Sequence, residues 1–234
     1  MGTIKFSSLV SDARGKVGGV VFSRNAAGAI ARKFTKPVNP NTARQQDIRN
    51  QFASLISSWR DLSPADQQVW ADMAPQYPYT NAMGESSQYT GQGLYNHLNM
   101  NLSVVGTAAI DTPLVPETFS AINLASVSLV LTAGLLTTAN VVISAVGAAT
   151  EAVIVEMTTS MSGGITKPAK SAFRQIQIFT DASAAATLDV ETAYIALYGS
   201  PQLGAKVFTR AWLINKNTGQ RLNLGQVVHV VTGT

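Results

Sequence analysis

Short runs of β-forming side chains separated by glycine dominate the first part of the chain. Residues 17–23 (VGGVVFS) and 29–34 (AIARKF) flank the connection RNAAG at 24–28. A short connection containing Asn and Gly between two such runs predicts a β-hairpin. The segment KPVNP at 36–40 is predicted to be extended, because residues that precede proline avoid helical geometry.

Helical periodicity replaces this pattern between residues 42 and 102. Thr42 and Gln45 have the spacing of a capping box, and the helix behind them carries one apolar stripe of Ile48, Phe52, Leu55, Ile56 and Trp59. Ser63 and Pro64 begin a second helix whose apolar face is Val69, Trp70 and Met73. After a loop at 75–90, a third helix at roughly 91–102 has one apolar face of Leu94, Tyr95, Leu98 and Leu102.

From about residue 113 the period changes to the alternation of strands. Alternating apolar positions occur at 127–131, 173–178, 195–197 and 207–214, and NTG at 217–219 predicts a hairpin turn into a strand at 222–231. About seven strands and no helix signal predict an immunoglobulin-like β-sandwich. The predicted fold class is therefore α+β: an N-terminal hairpin and three-helix domain at 1–112, followed by an Ig-like all-β sandwich at 113–234.

The stretch 118–150 contains no charge between Glu117 and Glu151. Ser, Thr and Asn interrupt it throughout, and its alternation is that of strands, so we expect no membrane span and no membrane partner. The first residues lack an apolar signal-peptide core, and no signal peptide is expected.

Charge is distributed unevenly along the chain. Residues 1–60 hold ten Lys and Arg against two acids, a net of +8, whereas residues 61–115 hold five acids and no base. The remaining residues come to +1. Two arrangements are compatible with this distribution. The basic and acidic zones either neutralise each other within one monomer, or the basic zone of one subunit contacts the acidic zone of the next.

Candidate catalytic and ligand sites are scarce. The chain has no cysteine, and its two histidines, His97 and His229, fall in different predicted domains. GKVGG at 15–19 lacks the Ser/Thr and the helix of a phosphate-binding loop, and is interpreted as a twisted or bulged strand where Gly18 and Gly19 permit close backbone approach. Asp189 and Glu191 are predicted to point the same way on a strand. We therefore predict no enzyme activity, no metal and no cofactor.

Two binding functions remain open from the residues alone. The basic segment suits phosphate contacts, and WRDLSPADQQVWADMA at 59–74 locally resembles an element of the HMG box. The acidic second helix and the missing Lys-rich third helix depart from that pattern, so nucleic-acid binding is the less favoured interpretation. Tyr77, Tyr79 and Tyr89 are candidates for a carbohydrate platform.

The N-terminal third resembles a family. GKVGGVVFSRNAAGAIARKFTKPVNPNTARQQDIRNQF at 15–52 is similar to uncharacterised structural proteins of tailed bacteriophages and prophages of Bacteroidetes, through Gly15, Lys16, Asn39, Pro40, Arg49 and Phe52 among others. SSWRDLSPADQQVW and GQGLYNHLN resemble blocks of metagenomic phage versions. The match covers about 90 residues.

The resemblance implies a virion structural protein without catalytic residues or cofactor, made in the bacterial host cytoplasm and located in the virion. The prediction is a capsid-associated, head accessory subunit, with other capsid subunits and copies of itself as partners. A tail or neck component and a DNA-binding packaging protein are the alternatives. The predicted subunit or capsid contacts are basic residues, namely Arg24, Arg32, Lys33, Lys36, Arg44 and Arg49.

Overall fold

The computed structural model describes residues 2–4, 12–25, 28–36, 38–81 and 84–233. The chain combines helices with several β-sheets, so it belongs to the α+β class. Three structural parts follow each other along the sequence: a small N-terminal sheet, a group of three helices, and two larger sheets.

The N-terminal sheet contains β1 (Gly2–Ile4), β2 (Gly15–Val17), β3 (Val20–Asn25) and β4 (Gly28–Lys33), in the order β1-β4-β3-β2. The predicted hairpin is confirmed as β3 and β4, paired in antiparallel register, while residues 26 and 27 of its connection lie outside the described residues.

The interpretation of GKVGG as a bulged strand is wrong. Gly18 and Gly19 form the two-residue turn between β2 and β3, with φ of 55° at Gly18. A two-residue hairpin turn requires positive φ, which glycine supplies without strain. A Cβ added at either glycine would meet no atom within 4 Å, so close backbone approach plays no part here.

The three predicted helices are present as α1 (Ala43–Asp61), α2 (Pro64–Met73) and α3 (Gly91–Val104). The hydroxyl oxygens of Thr42, Ser63 and Thr90 accept the first-turn N–H groups of the respective helices. The capping box of α1 is only half formed, because the buried Oε1 of Gln45 has no partner among the described residues. Between α2 and α3 lie two short paired strands, β5 (Tyr79–Thr80) and β6 (Ser86–Ser87).

The helices share a small core of aromatic and aliphatic side chains, whose buried members include Leu55, Trp70, Leu94, Tyr95 and Leu98. Trp70 packs edge-on against Tyr95 with ring centroids 5.2 Å apart. The predicted apolar faces are wrong at three positions, since Ile48, Phe52 and Val69 are exposed. The buried members of this core include only Leu55 from α1, and the first half of that helix borders a groove with Ser103, Val104 and Gln175 instead.

Two four-stranded sheets occupy residues 124–233. Their strands are β7 (Leu124–Thr132), β8 (Leu135–Ile143), β9 (Glu151–Met157), β10 (Arg174–Phe179), β11 (Thr187–Asp189), β12 (Lys206–Asn215), β13 (Arg221–Val230) and β14 (Thr232–Gly233). The orders are β10-β9-β12-β13 and β11-β8-β7-β14. One core joins the sheets, with Leu129 and Val141 from one and Val155 and Leu213 from the other.

The uncharged stretch forms the β7–β8 hairpin, in agreement with the predicted strands. Among the described helices, none has the length and apolarity needed to cross a bilayer.

The strand predicted at 195–197 is wrong, because Glu191–Tyr198 is a helix, α4. Tyr194 is buried and contacts Tyr198 one turn later, a helical period that outweighs the alternation of Ile195 and Leu197. Asp189 and Glu191 do not share a strand face. Asp189 ends β11, and its Oδ1 accepts the N–H of Glu191 at 2.9 Å.

The helices rest on the outer face of the β9–β12 sheet. Val105, after α3, packs on Ala152, Ile154 and Ile214. Asn101 Nδ2 donates to the carbonyl of Gly219 at 2.8 Å, in the turn between β12 and β13. This contact fixes the end of α3 against the sheet.

Candidate assembly surface

The N-terminal sheet has no core of its own. In the described part of the chain, no side chain before Leu55 is buried. Val17 is 69% exposed and Val38 is 87% exposed. Since small sheets need an apolar face packed against something, the residues around Val17, Val20 and Phe34 form a surface suited to a partner.

The strand register distributes the hairpin's cations over both faces of this sheet. Lys33 lies opposite Val20 and Arg24 opposite Ala29, whereas Arg32 lies opposite Val21. Because side chains alternate along a strand, Arg24 and Lys33 share one face and Arg32 occupies the other. The predicted contact residues of the hairpin therefore present no single basic face.

Arg24 has a partner within the chain. Its Nη1 lies 3.8 Å from Asp12 Oδ2, and more than half of the Arg24 side chain is exposed. Such an exposed pair contributes little to stability. Lys36, just beyond β4, is exposed in the extended segment before α1.

Arg49 connects α1 to this extended segment. Its Nη2 donates to Asn39 Oδ1 at 2.8 Å and its Nη1 to Asn41 Oδ1 at 3.4 Å. Asn41 has a φ of 51°, a conformation that asparagine tolerates better than most residues. The role of Arg49 shown by these contacts is to hold the chain that enters α1.

We expect Arg49→Ala to raise amide hydrogen exchange at Asn41 about tenfold, because the Asn41 N–H donates to Asn39 Oδ1, the oxygen that Arg49 holds in place. The free energy of unfolding should fall by no more than about 1 kcal/mol, as for other exposed hydrogen bonds. Arg44→Ala on the same helix is the control and should leave exchange unchanged. Equal exchange in both variants would contradict the clamp.

Arg44 lines a cleft of about 450 Å³ between the start of α1 and the sheet edge formed by β9, β10 and the adjacent α4. The other lining residues are Glu156, Phe173, Arg174, Gln175 and Leu197. We refer to this site as the arginine cleft. The six predicted contact residues are thus divided among two sheet faces, a clamped segment and this cleft.

The sequence does not predict a network of charged side chains around Glu156, one of the residues that line the cleft. Glu156 Oε2 accepts from Arg210 Nε and, at 3.0 Å, from Trp212 Nε1, while its Oε1 lies 3.7 Å from Arg221 Nη2. The Arg221 guanidinium lies 3.9 Å from the centre of the Trp212 ring. Burial lowers the pKa of Arg221, and Arg210 lowers it further against the opposing effect of Glu156.

The sequence alone does not reveal this network, because its residues meet only through the pairing of β9 with β12. Arg210 lies directly opposite Glu156 in the register of β12 and β9. Both side chains alternate with core residues such as Val155 and Ala211, so they point away from the sandwich core.

Of the tyrosines considered as a carbohydrate platform, only Tyr77 is buried, while Tyr79 is 38% exposed. Tyr77 is buried and its hydroxyl donates to the Leu114 carbonyl at 2.7 Å; burial and Glu117 raise its pKa to about 12. Tyr89 stacks between Tyr79 and His97, at ring-centroid distances of 4.5 Å and 5.0 Å. Loss of solvent and the charge of Arg221 lower the pKa of His97.

His229 lies on β13, with Nε2 3.3 Å from the Leu129 carbonyl oxygen, far along the sandwich from the His97 stack. Within the described ranges, no group of three or more His, Asp and Glu side chains could hold a metal ion.

Comparison with known protein families and with curated proteins found no match for this chain. Its function is therefore inferred from its own surface.

The acidic zone of that surface is exposed. Asp61, Asp66, Asp72, Glu85 and Asp111 all reach solvent. Among the described residues, ion pairs join Asp12 to Arg14 and Arg24, and Glu156 to Arg210 and Arg221. None joins the acidic zone to the basic one, so neutralisation within the monomer has no support in these contacts.

Proposed function

We propose that this chain is a non-enzymatic structural protein of a tailed-phage virion, a capsid-associated head accessory subunit. It assembles with copies of itself and with capsid subunits through its basic N-terminal segment. The two larger sheets are assigned in the same proposal to an immunoglobulin-like sandwich, which projects a stable body from the assembled part.

The observation that carries the proposal is the N-terminal sheet without a buried side chain among its described residues. A four-stranded sheet with exposed valines at 39% and 69% gains stability when another chain covers it. Assembly on a particle supplies that cover. The two oppositely charged zones, with no ion pair between their described residues, give the contact its register and orientation.

The DNA-binding alternative is less well supported by this arrangement. Arg32 and the pair Arg24 and Lys33 lie on opposite faces of the sheet, so they do not converge on one phosphate backbone. A subunit contact can use both faces, because neighbours can lie on either side.

Val17→Asp tests the assembly surface. We expect self-association, measured by sedimentation equilibrium, to weaken at least tenfold, because a carboxylate replaces an apolar contact. Val17 is 69% exposed in the monomer, so the melting temperature should change little. Leu203→Asp is a matched control, since Leu203 is also 69% exposed but lies beyond the N-terminal segment.

The virion location has its own test. Mass spectrometry of particles purified from cells that carry the gene should detect this chain in many copies per particle. Its absence from purified particles, while the protein is present in the lysate, would refute the virion role. If Val17→Asp and Leu203→Asp weaken self-association equally, the N-terminal sheet is not the assembly surface. That result would leave the virion role itself untouched.

A further inference from the structure

We propose that the arginine cleft binds helix α2 of a second copy of this chain. The inference rests on the proposed assembly function and specifies one contact within it. The cleft and α2 are different surfaces, so the contact is either reciprocal in a two-fold pair or repeated head to tail in a ring.

The cleft carries uncompensated positive charge. Arg44 and Arg174 line it, and within the described residues neither guanidinium has a hydrogen bond or an ion pair. The one carboxylate among the described lining residues, Glu156, is already engaged by Arg210 and Arg221. An incoming carboxylate would find free arginine donors there, and arginine forms strong, directional pairs with carboxylates.

The cleft also has apolar lining. Leu197 is 50% exposed, whereas Phe173 is buried, with the Arg210 guanidinium 4.2 Å from the centre of its ring. A narrower groove of about 130 Å³ continues from Arg44 and Gln175 to Ile48, which is 36% exposed. The partner expected from this lining combines acidic groups with an apolar one.

Helix α2 has that pattern on its exposed side. Asp66, Val69 and Asp72 follow each other at three-residue spacing, which places them within an arc of about 120° at roughly 100° per residue. Val69 is 41% exposed and both carboxylates reach solvent. Buried Trp70 lies about 40° from Asp66, about 100° from Val69 and about 160° from Asp72 around the helix, so the exposed side is centred on Val69 and Asp72, with Asp66 at its margin.

Within the described part of the monomer, neither the arginines that line the cleft, Arg44 and Arg174, nor the carboxylates of α2 form an ion pair. Asp66 accepts from the Ser63 hydroxyl at 2.6 Å and Asp72 from Gln68 Nε2 at 2.8 Å, and in the described part of the chain neither meets a cation. These local hydrogen bonds hold the two carboxylates in place without neutralising them, as a docking helix requires.

Charge reversal tests the contact in the full-length chain. Arg44→Glu with Arg174→Glu is the cleft variant, and Asp72→Lys is the helix variant. Two of these changes agree with the helix dipoles, since Arg44→Glu places an acid near the start of α1 and Asp72→Lys a base near the end of α2, whereas Arg174 is exposed at the start of β10. Lys167→Glu, an exposed lysine outside the cleft lining, makes the same kind of charge change and is the control.

Sedimentation equilibrium at about 150 mM salt measures the outcome. We expect the cleft variant to self-associate at least 50-fold more weakly and the helix variant about tenfold more weakly, with Lys167→Glu within twofold of the wild type. The chain that combines the cleft and helix changes should recover at least fivefold over the cleft variant, since the lysine introduced on α2 then faces the glutamates introduced in the cleft. Circular dichroism confirms that each variant is folded.

Two results would overturn the proposal. The cleft variant could associate like the wild type, or the combined chain could show no recovery. If the cleft variant keeps its self-association and also loses salt-dependent binding to a 30-base-pair duplex, the cleft is assigned to phosphate. In each case a loss of association in Val17→Asp would still support assembly through the N-terminal sheet, so the two proposals fail separately.

Discussion

Trp70→Ala is expected to lower the free energy of unfolding by about 4 kcal/mol, within the range of about 3–5 kcal/mol for large aromatic residues replaced in cores. Trp70 is completely buried between α1 and α3, in edge contact with Tyr95. Its Nε1 also donates to the Asp111 carbonyl at 2.7 Å, which attaches the segment after α3 to the helices. Urea unfolding followed by far-ultraviolet circular dichroism measures the loss.

Trp70→Phe separates packing from the hydrogen bond. It keeps an aromatic ring in the core but removes the donor to Asp111, and we expect a loss of about 1–2 kcal/mol. If Trp70→Ala costs no more than Trp70→Phe, the helical core does not depend on the tryptophan in the way described.

Local signals predict the helices well. Thr42 and Ser63 cap α1 and α2 as expected, and the buried face of α3 contains the four residues that its spacing selects. Caps and periodicity are determined by neighbours within one or two turns, so a single sequence contains them. Alternation likewise identifies β7 and β12, because both strands lie in sheets with one side on the shared core.

Local signals fail where two patterns coexist. Residues 191–198 alternate like a strand at Ile195 and Leu197 and repeat like a helix at Tyr194 and Tyr198. A run of eight residues is too short for periodicity to decide. Packing of both tyrosines against the sandwich, with hydroxyls donating to the carbonyls of residues 158 and 157, favours the helix.

The sequence predicts the charge of the candidate site but not its arrangement. The basic residues are evident from the sequence, but whether Arg24 and Arg32 share a face depends on register, and whether Arg49 is free depends on Asn39 ten residues away. The Glu156 network depends on pairing across 54 residues, which no local pattern encodes. The fold determines which face of a sheet a side chain occupies and which residue it contacts, so only the structure shows them.

The contact between the helices and the two larger sheets has a large structural consequence, and no local sequence pattern predicts it. NTG at 217–219 is predicted to be a turn, and it is one. The same turn also contacts α3, where the Gly219 carbonyl accepts from Asn101. Gly219, which two structural requirements constrain at once, is therefore one of the links between the predicted domains 1–112 and 113–234, together with the packing of Val105.

Gly219→Ala is expected to destabilise the chain by about 3–6 kcal/mol. A Cβ at this position would lie 2.4 Å from the Leu98 carbonyl oxygen, and φ of 74° strains any residue with a side chain. Gly204→Ala is the matched control, because Gly204 has a φ of 76° and no atom within 4 Å of the added Cβ, so it should cost only about 1–2 kcal/mol.

Calorimetry of the two glycine variants decides how the parts are coupled. If the steric contact couples helices and sandwich, Gly219→Ala should split one unfolding transition into two, with the helical part melting first, while Gly204→Ala keeps a single transition. Equal destabilisation by the two substitutions would show that backbone strain alone acts at Gly219. The helices would then rest on the sheet through Val105 and its neighbours rather than through this turn.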